Sequence, residues 1–300
     1  MKLPVTAIVM TFNEERNLPE CLASVAEHVD QLIIVDCFSN DATVAIAREH
    51  TEFVFQNAWV NHSKQFQWAL ANTPIRNEWV LRLDADERWT KAGFEALGDI
   101  LQHDRADGVH VRMKIYFMDR WMRFGGFYPN QFLRVFKRTK GTIEDRWMDE
   151  HIRVDGRTLT TSIDVIEANY DRQRSLVLWT DKHNGYSTRE AVQFLVQKHK
   201  LGSVDTIARF FGNKTERKRW LKEKLYFRFP LFVRPFFYFV YRYVFQLGFL
   251  DGRAGFIFHT LHAFWYRFLV DAKICQIETN ARLDGASIAD TVKRYYGIDL

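Results

Sequence analysis

Four short apolar runs, separated by stretches with helical spacing, constrain this chain more than any other feature. The runs are Val5 to Met10, Gln31 to Val35, Phe53 to Phe55 and Trp79 to Leu83. Between the first two, Leu18, Leu22, Val25 and Ala26 make one apolar helix face. That helix has a start signal: a capping Asn17, Pro19 in the first turn and Glu20 three residues after the cap. Further helices are predicted from Thr43 to His50 and from Ser63 to Ala71. Such alternation predicts an α/β domain, a doubly wound and mostly parallel sheet with helices on both faces.

In a sheet of that kind ligands sit beyond the carboxyl ends of the strands, and polar clusters follow strands one, two and four. Asp84, Asp86 and Glu87 arrive together after Trp79 to Leu83. Carboxylates so crowded repel one another unless a cation lies between them. Hard oxygen ligands suit Mg²⁺ or Mn²⁺, usually shared with substrate phosphates. The plainer alternative is an acidic turn capping the helix that follows at Thr90. Asp36, at the end of strand two, is open to two readings as well: a hydrogen bond to a ribose or base, or ordinary turn chemistry in Asp-x-x-Ser-x-Asp. Thr11 to Arg16 contains no glycine, which disfavours a P-loop or a dinucleotide dehydrogenase.

Three motifs then carry a resemblance: Thr-Phe-Asn-Glu-Glu-x-Asn-Leu at Thr11 to Leu18, Val-Asp-x-x-Ser-x-Asp-x-Thr at Val35 to Thr43, and Trp-Val-Leu-x-Leu-Asp-Ala-Asp-Glu at Trp79 to Glu87. In order and spacing they resemble the family 2 glycosyltransferases, over about residues 4 to 155. The branch most similar includes bacterial lipopolysaccharide-core glucosyltransferases and membrane-associated polysaccharide enzymes. The resemblance implies a GT-A fold, a nucleotide-sugar donor (a UDP-sugar above all), Mg²⁺ or Mn²⁺, and inversion at the anomeric carbon. It puts Thr11, Asn13 and Glu14 beside the nucleotide, Asp36 near base or ribose, Asp84 at ribose or metal, and Asp86 on the metal. Lys64 and Gln65 match the polar stretch before the Asp-x-Asp strand, while Phe66 and Gln67 depart from the usual Arg-Asn. Gly125 to Arg138 is similar to a Tyr-Pro…Arg-Leu-Phe segment near the donor diphosphate. Arg134 there either meets a phosphate or is a surface residue of a strand. In Trp147-Met148-Asp149-Glu150-His151 the resemblance makes Glu150 the base that takes the acceptor proton, with Asp149 second and His151 a structural or orienting neighbour; the plainer alternative is a solvated acidic turn. Trp147 and Met148 beside that carboxylate would raise its pKa.

The three cysteines, Cys21, Cys37 and Cys275, fit neither a disulfide framework nor a zinc site and favour a reducing compartment. The apolar run at Val5 is too short for a signal peptide. Ser187 with Glu190 reads as a capping box.

Net charge is +5, but Arg209 to Arg253 alone holds 11 Lys or Arg against 3 Asp or Glu, with 15 aromatics. Leu225 to Leu250 is too apolar for a nucleic-acid groove, and Arg228, Arg234 and Arg242 recur too often for a spanning helix. Interfacial amphipathic helices with basic residues on anionic headgroups are predicted instead, with an aromatic-rich helical subdomain packed on the catalytic core as the plainer alternative. Ala254 to Tyr266, free of charged side chains, makes a second interfacial or core helix. Gly248 to Gly255 is similar to the tail of membrane-associated members of the branch.

The expectation is a catalytic domain over 1–170 and a helical region over 171–300. The enzyme would be an inverting, metal-dependent glycosyltransferase, peripheral at the cytoplasmic face of a bacterial inner membrane, acting on a lipid-linked glycan and not on nucleic acid. The rivals are a non-catalytic membrane adaptor and a metal-dependent nucleotidyl or phosphoryl transferase.

Overall fold

The structure, a computed structural model, describes residues 2–201, 220–221 and 226–300. The chain divides into two compact units. The N-terminal unit comprises residues up to Arg123, Phe127–Glu144 and Glu150–Ser175; the second comprises Phe124–Gly126, Asp145–Asp149 and Leu176–Leu300.

In the N-terminal unit, β1 (Leu3–Thr11), β2 (Val29–Asp36), β3 (Val54–Gln56) and β4 (Trp79–Asp84) alternate with α1 (Leu18–Val25), α2 (Thr43–His50) and α3 (His62–Asn72). Then follow β5 (Glu87–Trp89), α4 (Lys91–Gln102), β6 (Gly108–Phe117), the short β7 (Arg120–Trp121) and β8 (Asn130–Lys137). A hairpin of β9 (Gly141–Ile143) and β10 (Ile152–Val154), then β11 (Thr158–Glu167) and the short α5 (Tyr170–Arg174), complete the unit. The main sheet runs β3-β2-β1-β4-β8-β6-β11-β5. Its first four strands are parallel, and β8 and β5 run against their neighbours.

Strand alternation sends successive side chains to opposite faces, and two apolar cores result. Val5, Ala7, Val9, Leu81 and Leu83 pack with Leu18 and Leu22 of α1 and Leu97 of α4. Ile8, Met10, Ile33, Val35 and Val80 pack with Phe66 and Ala69 of α3. This is the doubly wound arrangement that the apolar runs predict, because strands buried on both faces have no polar side to show.

Two helix starts differ from expectation. Asn17 makes no cap bond to α1; its amide donates to Glu14 at 2.7 Å and its oxygen accepts from Tyr170 N at 2.7 Å. Glu20 pairs with Arg88 instead of completing a box. Ser187 starts nothing: it lies inside α6 (Leu176–His199), donating to Asn184 O, while Glu190 binds Tyr266 and Arg267. Capping signals fail here because a distant partner satisfies the side chain better than the local turn does.

In the second unit α6 packs on α9 (Tyr266–Leu283) through Ala191, Val192, Leu195, Val270 and Ile274, with Val292 from α10 (Ile288–Tyr296). α7 (Arg234–Val240) and α8 (Gly252–His259) are short, and Thr260–Trp265 joins α8 to α9 as a wide π-helical turn. Arg234 is a correction. Placed among the headgroup cations by the sequence, it is 2% exposed and binds Asp271 through two nitrogens at 2.5–3.1 Å. The glycines of Gly248 to Gly255 permit close approach: a Cβ on Gly255 would stand 2.9 Å from Gly248 O. Of the basic stretch, residues 209–219 and 222–225 lie outside the described residues. Among the described residues no helix is long and apolar enough to cross a membrane.

Removing one partner of a fully buried ion pair leaves an uncompensated charge, at a cost of about 3–5 kcal/mol. Arg234→Ala is therefore expected to lower the urea midpoint by that much stability. A loss below about 1 kcal/mol, the scale of an exposed pair, would show that Asp271 is not stranded.

Candidate functional site

The carboxyl ends of β1, β2 and β4 lie side by side, with Thr11 opposite Asp36 and Met10 opposite Asp84 in the ladders. The loops that leave β1 and β2 are laced together. Asn13 N donates to Ser39 Oγ at 2.8 Å, Asn40 N to Asn13 Oδ1 at 3.0 Å, and Glu14 N to Thr43 Oγ1 at 2.8 Å. Asn13 and Phe38 both take left-handed backbone, φ +53° and +59°.

Asp36 is fully buried and uses both oxygens within this lacing. It accepts from Thr11 Oγ1 at 3.0 Å, Ser39 N at 2.8 Å, Ser39 Oγ at 2.5 Å and Gln56 Nε2 at 3.1 Å. These are the bonds of turn chemistry: Asp36 holds the loop in shape. Among what the two loops present outward are two aromatic rings, Phe12 and Phe38, each 57% exposed. Neither ring was singled out from sequence, although an apolar residue within a polar loop is a signal in itself.

Lys64 and Gln65 fall in the first turn of α3. Lys64 N is capped by Asn61 Oδ1 at 2.8 Å, and the buried Gln65 accepts from Asn57 Nδ2 at 2.8 Å. Phe66, one of the two departures from the family pattern, is wholly buried.

At the end of β4 the three carboxylates are met by three guanidiniums. Arg134 of β8 is bonded to Glu87 and lies 3.3 Å from Asp84. It is 8% exposed, so it is not the surface residue offered as one reading. Arg82 Nε stands 3.9 Å from Asp84, and Arg172 of α5 is bonded to Asp86. Burial pushes the Glu87 carboxyl up to about 8; Arg134 opposes that rise, while Asp84 and Asp86 add to it. Burial also works against the Arg134 charge, but Glu87, Asp84 and Glu167 outweigh it and hold its pKa above the usual range. The alternative of an acidic helix cap does not hold, since Thr90 itself caps α4 through Gly93 N.

The Asp84 side chain is 34% exposed, against 10% for Asp86 and 2% for Glu87. Among the described residues no three His, Cys, Asp or Glu side chains form a metal-holding group. Asp84 and Asp86 nevertheless offer hard oxygens, in the number Mg²⁺ draws from protein when substrate phosphates fill the other positions. The donor set therefore fits a metal shared with a diphosphate.

Glu150 lies in the loop between β9 and β10, and Arg82 Nη2 donates to its Oε1 at 2.8 Å. The group set against it is thus a guanidinium. Asp149, with φ +65°, is grouped with the second unit, whereas Glu150 belongs to the unit that holds Asp84 and Asp86. His151 turns its ring to the buried Glu144 at 3.3 Å, an orienting contact on the loop. Arg82 was legible in principle: a charged residue between Leu81 and Leu83 in a buried strand must face a partner. Arg172, 86 positions from Asp86, left no local signal.

A sequence model of glycosyl transferase family 2 matches residues 6–157. The lipopolysaccharide core biosynthesis glycosyltransferase LpsC of Rhizobium meliloti is 30% identical over 147 residues, 47% of this chain and 53% of LpsC, so the chain spans about half the length of that curated relative. An uncharacterised glycosyltransferase of Rickettsia typhi is 25% identical over 93% of this chain and 89% of its own. Among solved structures, S. aureus TarS 1-349 in complex with UDP-GlcNAc is similar at 14% identity and a TM-score of 0.44, covering 95% of this chain and 93% of that one. With the family model matching just over half of its length, and with a mostly parallel α/β sheet of the GT-A kind, the chain belongs to glycosyl transferase family 2.

Proposed function

We propose that the protein is an inverting glycosyltransferase that takes a sugar from a nucleoside diphosphate donor, a UDP-sugar above all, and passes it to a lipid-linked glycan at a membrane surface. The observation that carries this reading is the meeting of the β1, β2 and β4 loops at one sheet edge, with Asp84 and Asp86 at its centre, in a chain of this family. The similarity to LpsC supports an acceptor of the lipopolysaccharide-core kind.

Phe12 and Phe38 offer exposed rings on which a nucleobase can stack. Asn13 and Glu14 lie on the same loops. Asp84 and Asp86 would hold Mg²⁺ or Mn²⁺, which when bound offsets the charge that builds on the leaving diphosphate. The acceptor hydroxyl oxygen then attacks the anomeric carbon as the bond from that carbon to the diphosphate oxygen breaks. Glu150 accepts the hydroxyl proton; Arg82 takes Oε1 and so directs Oε2 to the task. Asp149 is the second candidate for the base.

Membrane contact is read from the second unit. Phe236, Phe237, Val244, Phe245, Phe249 and Phe256 are 45–72% exposed, with Arg228 and Arg253 also exposed. Aromatics and Arg together suit an interfacial position on anionic lipid. The cytoplasmic face of a bacterial inner membrane is the location that fits such an enzyme.

The direct test is nucleoside diphosphate release from UDP-, GDP- and dTDP-sugars, with and without Mn²⁺, in lipid extract or in plain detergent. Metal-dependent release that requires the extract is expected; silence across the panel with no donor binding points to an adaptor. In that assay Asp84→Asn is expected to lose turnover by about 10²-fold or more, the scale of removing one electrostatic contact to the developing charge. Glu150→Gln should lower kcat by about 10²–10⁴-fold, as for loss of a general base, with UDP binding unchanged by calorimetry. Phe38→Ala should weaken UDP binding about fivefold, the equivalent of roughly 1 kcal/mol of stacking. Unaltered affinity would move the nucleobase away from this ring.

A further inference from the structure

Arg172 has no part in the reaction proposed above, yet it is bonded to Asp86, and both side chains are largely buried, 15% and 10% exposed. Two further residues of the segment after β11 reach Asp86. Ala168 N donates to Asp86 O at 3.1 Å, and Asn169 Nδ2 reaches the carboxylate at 3.5 Å. α5 is itself anchored to the loop after β1, by Tyr170 N on Asn17 Oδ1 at 2.7 Å and by Arg16 on Asp171 at 2.7 Å. Arg172 therefore extends from a tethered element.

We infer that Arg172 is a resident counterion of Asp86 that a divalent cation displaces, so that Arg172 sets the metal affinity of the donor site. This rests on the reading of Asp84 and Asp86 as a metal–diphosphate site. A largely buried carboxylate already paired with a guanidinium gives up that partner only at a cost, and a guanidinium and a divalent ion compete for the same oxygens. Metal arriving alone must break the ion pair and leave the guanidinium without its carboxylate. Metal arriving with a nucleoside diphosphate brings phosphate oxygens, which match a guanidinium bidentately. Metal and nucleotide thus favour each other's binding, and by linkage the effect is reciprocal. Arg172 acts here as a positioning residue, through Asp86.

The test is Mn²⁺ binding, followed by electron paramagnetic resonance and calorimetry, with and without UDP, for the full chain and for Arg172→Met and Arg172→Lys. Arg172→Met is expected to bind Mn²⁺ alone about tenfold more tightly than the unaltered protein, within the usual span of coupled sites. Arg172→Lys should fall between, and the gain from adding UDP should shrink in the Met variant. Equal or weaker Mn²⁺ binding in Arg172→Met, while the unaltered protein binds Mn²⁺ with UDP, overturns the inference and leaves the donor site standing. No Mn²⁺ binding by any of the three, with or without UDP, overturns both. Thermal melts separate a merely structural role: a lowered Tm in Arg172→Met that saturating Mn²⁺ restores supports displacement, and one that Mn²⁺ does not restore overturns it.

Discussion

Three carboxylates within four residues of chain cannot all be charged and buried without cations beside them. At an effective dielectric of about 20, two like charges about 4 Å apart repel by roughly 4 kcal/mol. The end of β4 meets this constraint with Arg82 from its own strand, Arg134 from β8 and Arg172 from α5. Much of the N-terminal unit follows from it. The reversed strand β8 carries Arg134 to Glu87, and the return of the chain after β11 carries Arg172 to Asp86. The burial of Glu87 raises its carboxyl pKa, while Asp84 keeps the most exposed side chain of the three acids.

The opposite character belongs to the loops after β1 and β2. Here the polar groups satisfy one another: Asp36 gathers Thr11, Ser39 and Gln56, and Asn13 donates to Ser39 and accepts from Asn40 across the loops. Hydrogen bonding of this kind ties the two loops together and leaves two aromatic rings outward. Such an edge offers ring faces on one side and charge on the other. That division suits a ligand with an aromatic base and a diphosphate.

The second unit meets burial of charge with pairing as well, in Arg234 with Asp271 and in Glu190 with Tyr266 and Arg267. With those charges spent internally, the short helices from α7 to α8 leave apolar side chains outward, Phe245 at 72% exposure among them. Soluble monomers rarely expose such a concentration of large apolar groups, which is why a lipid surface is the natural partner to propose.

The alternation of strands and helices, the bounds of α2, and the edge at which the polar loops meet were legible in the sequence, because apolar periodicity reports directly on which faces are buried. The proximity of Asp84, Asp86 and Glu87 was equally legible, being local. The fate of single polar side chains was not. Asn17 was drawn from its cap by Tyr170, Ser187 and Glu190 from their box by α9, Arg234 from solvent by Asp271, and Arg134 from the surface by Glu87. Each choice is a competition between a local bond worth about 1 kcal/mol and a distant charged or buried partner worth more. Pattern along the chain thus determined the sheet, its helices and the place of its acids; which cation each acid holds was decided only by tertiary structure, since opposite charges far apart in sequence find each other through the fold.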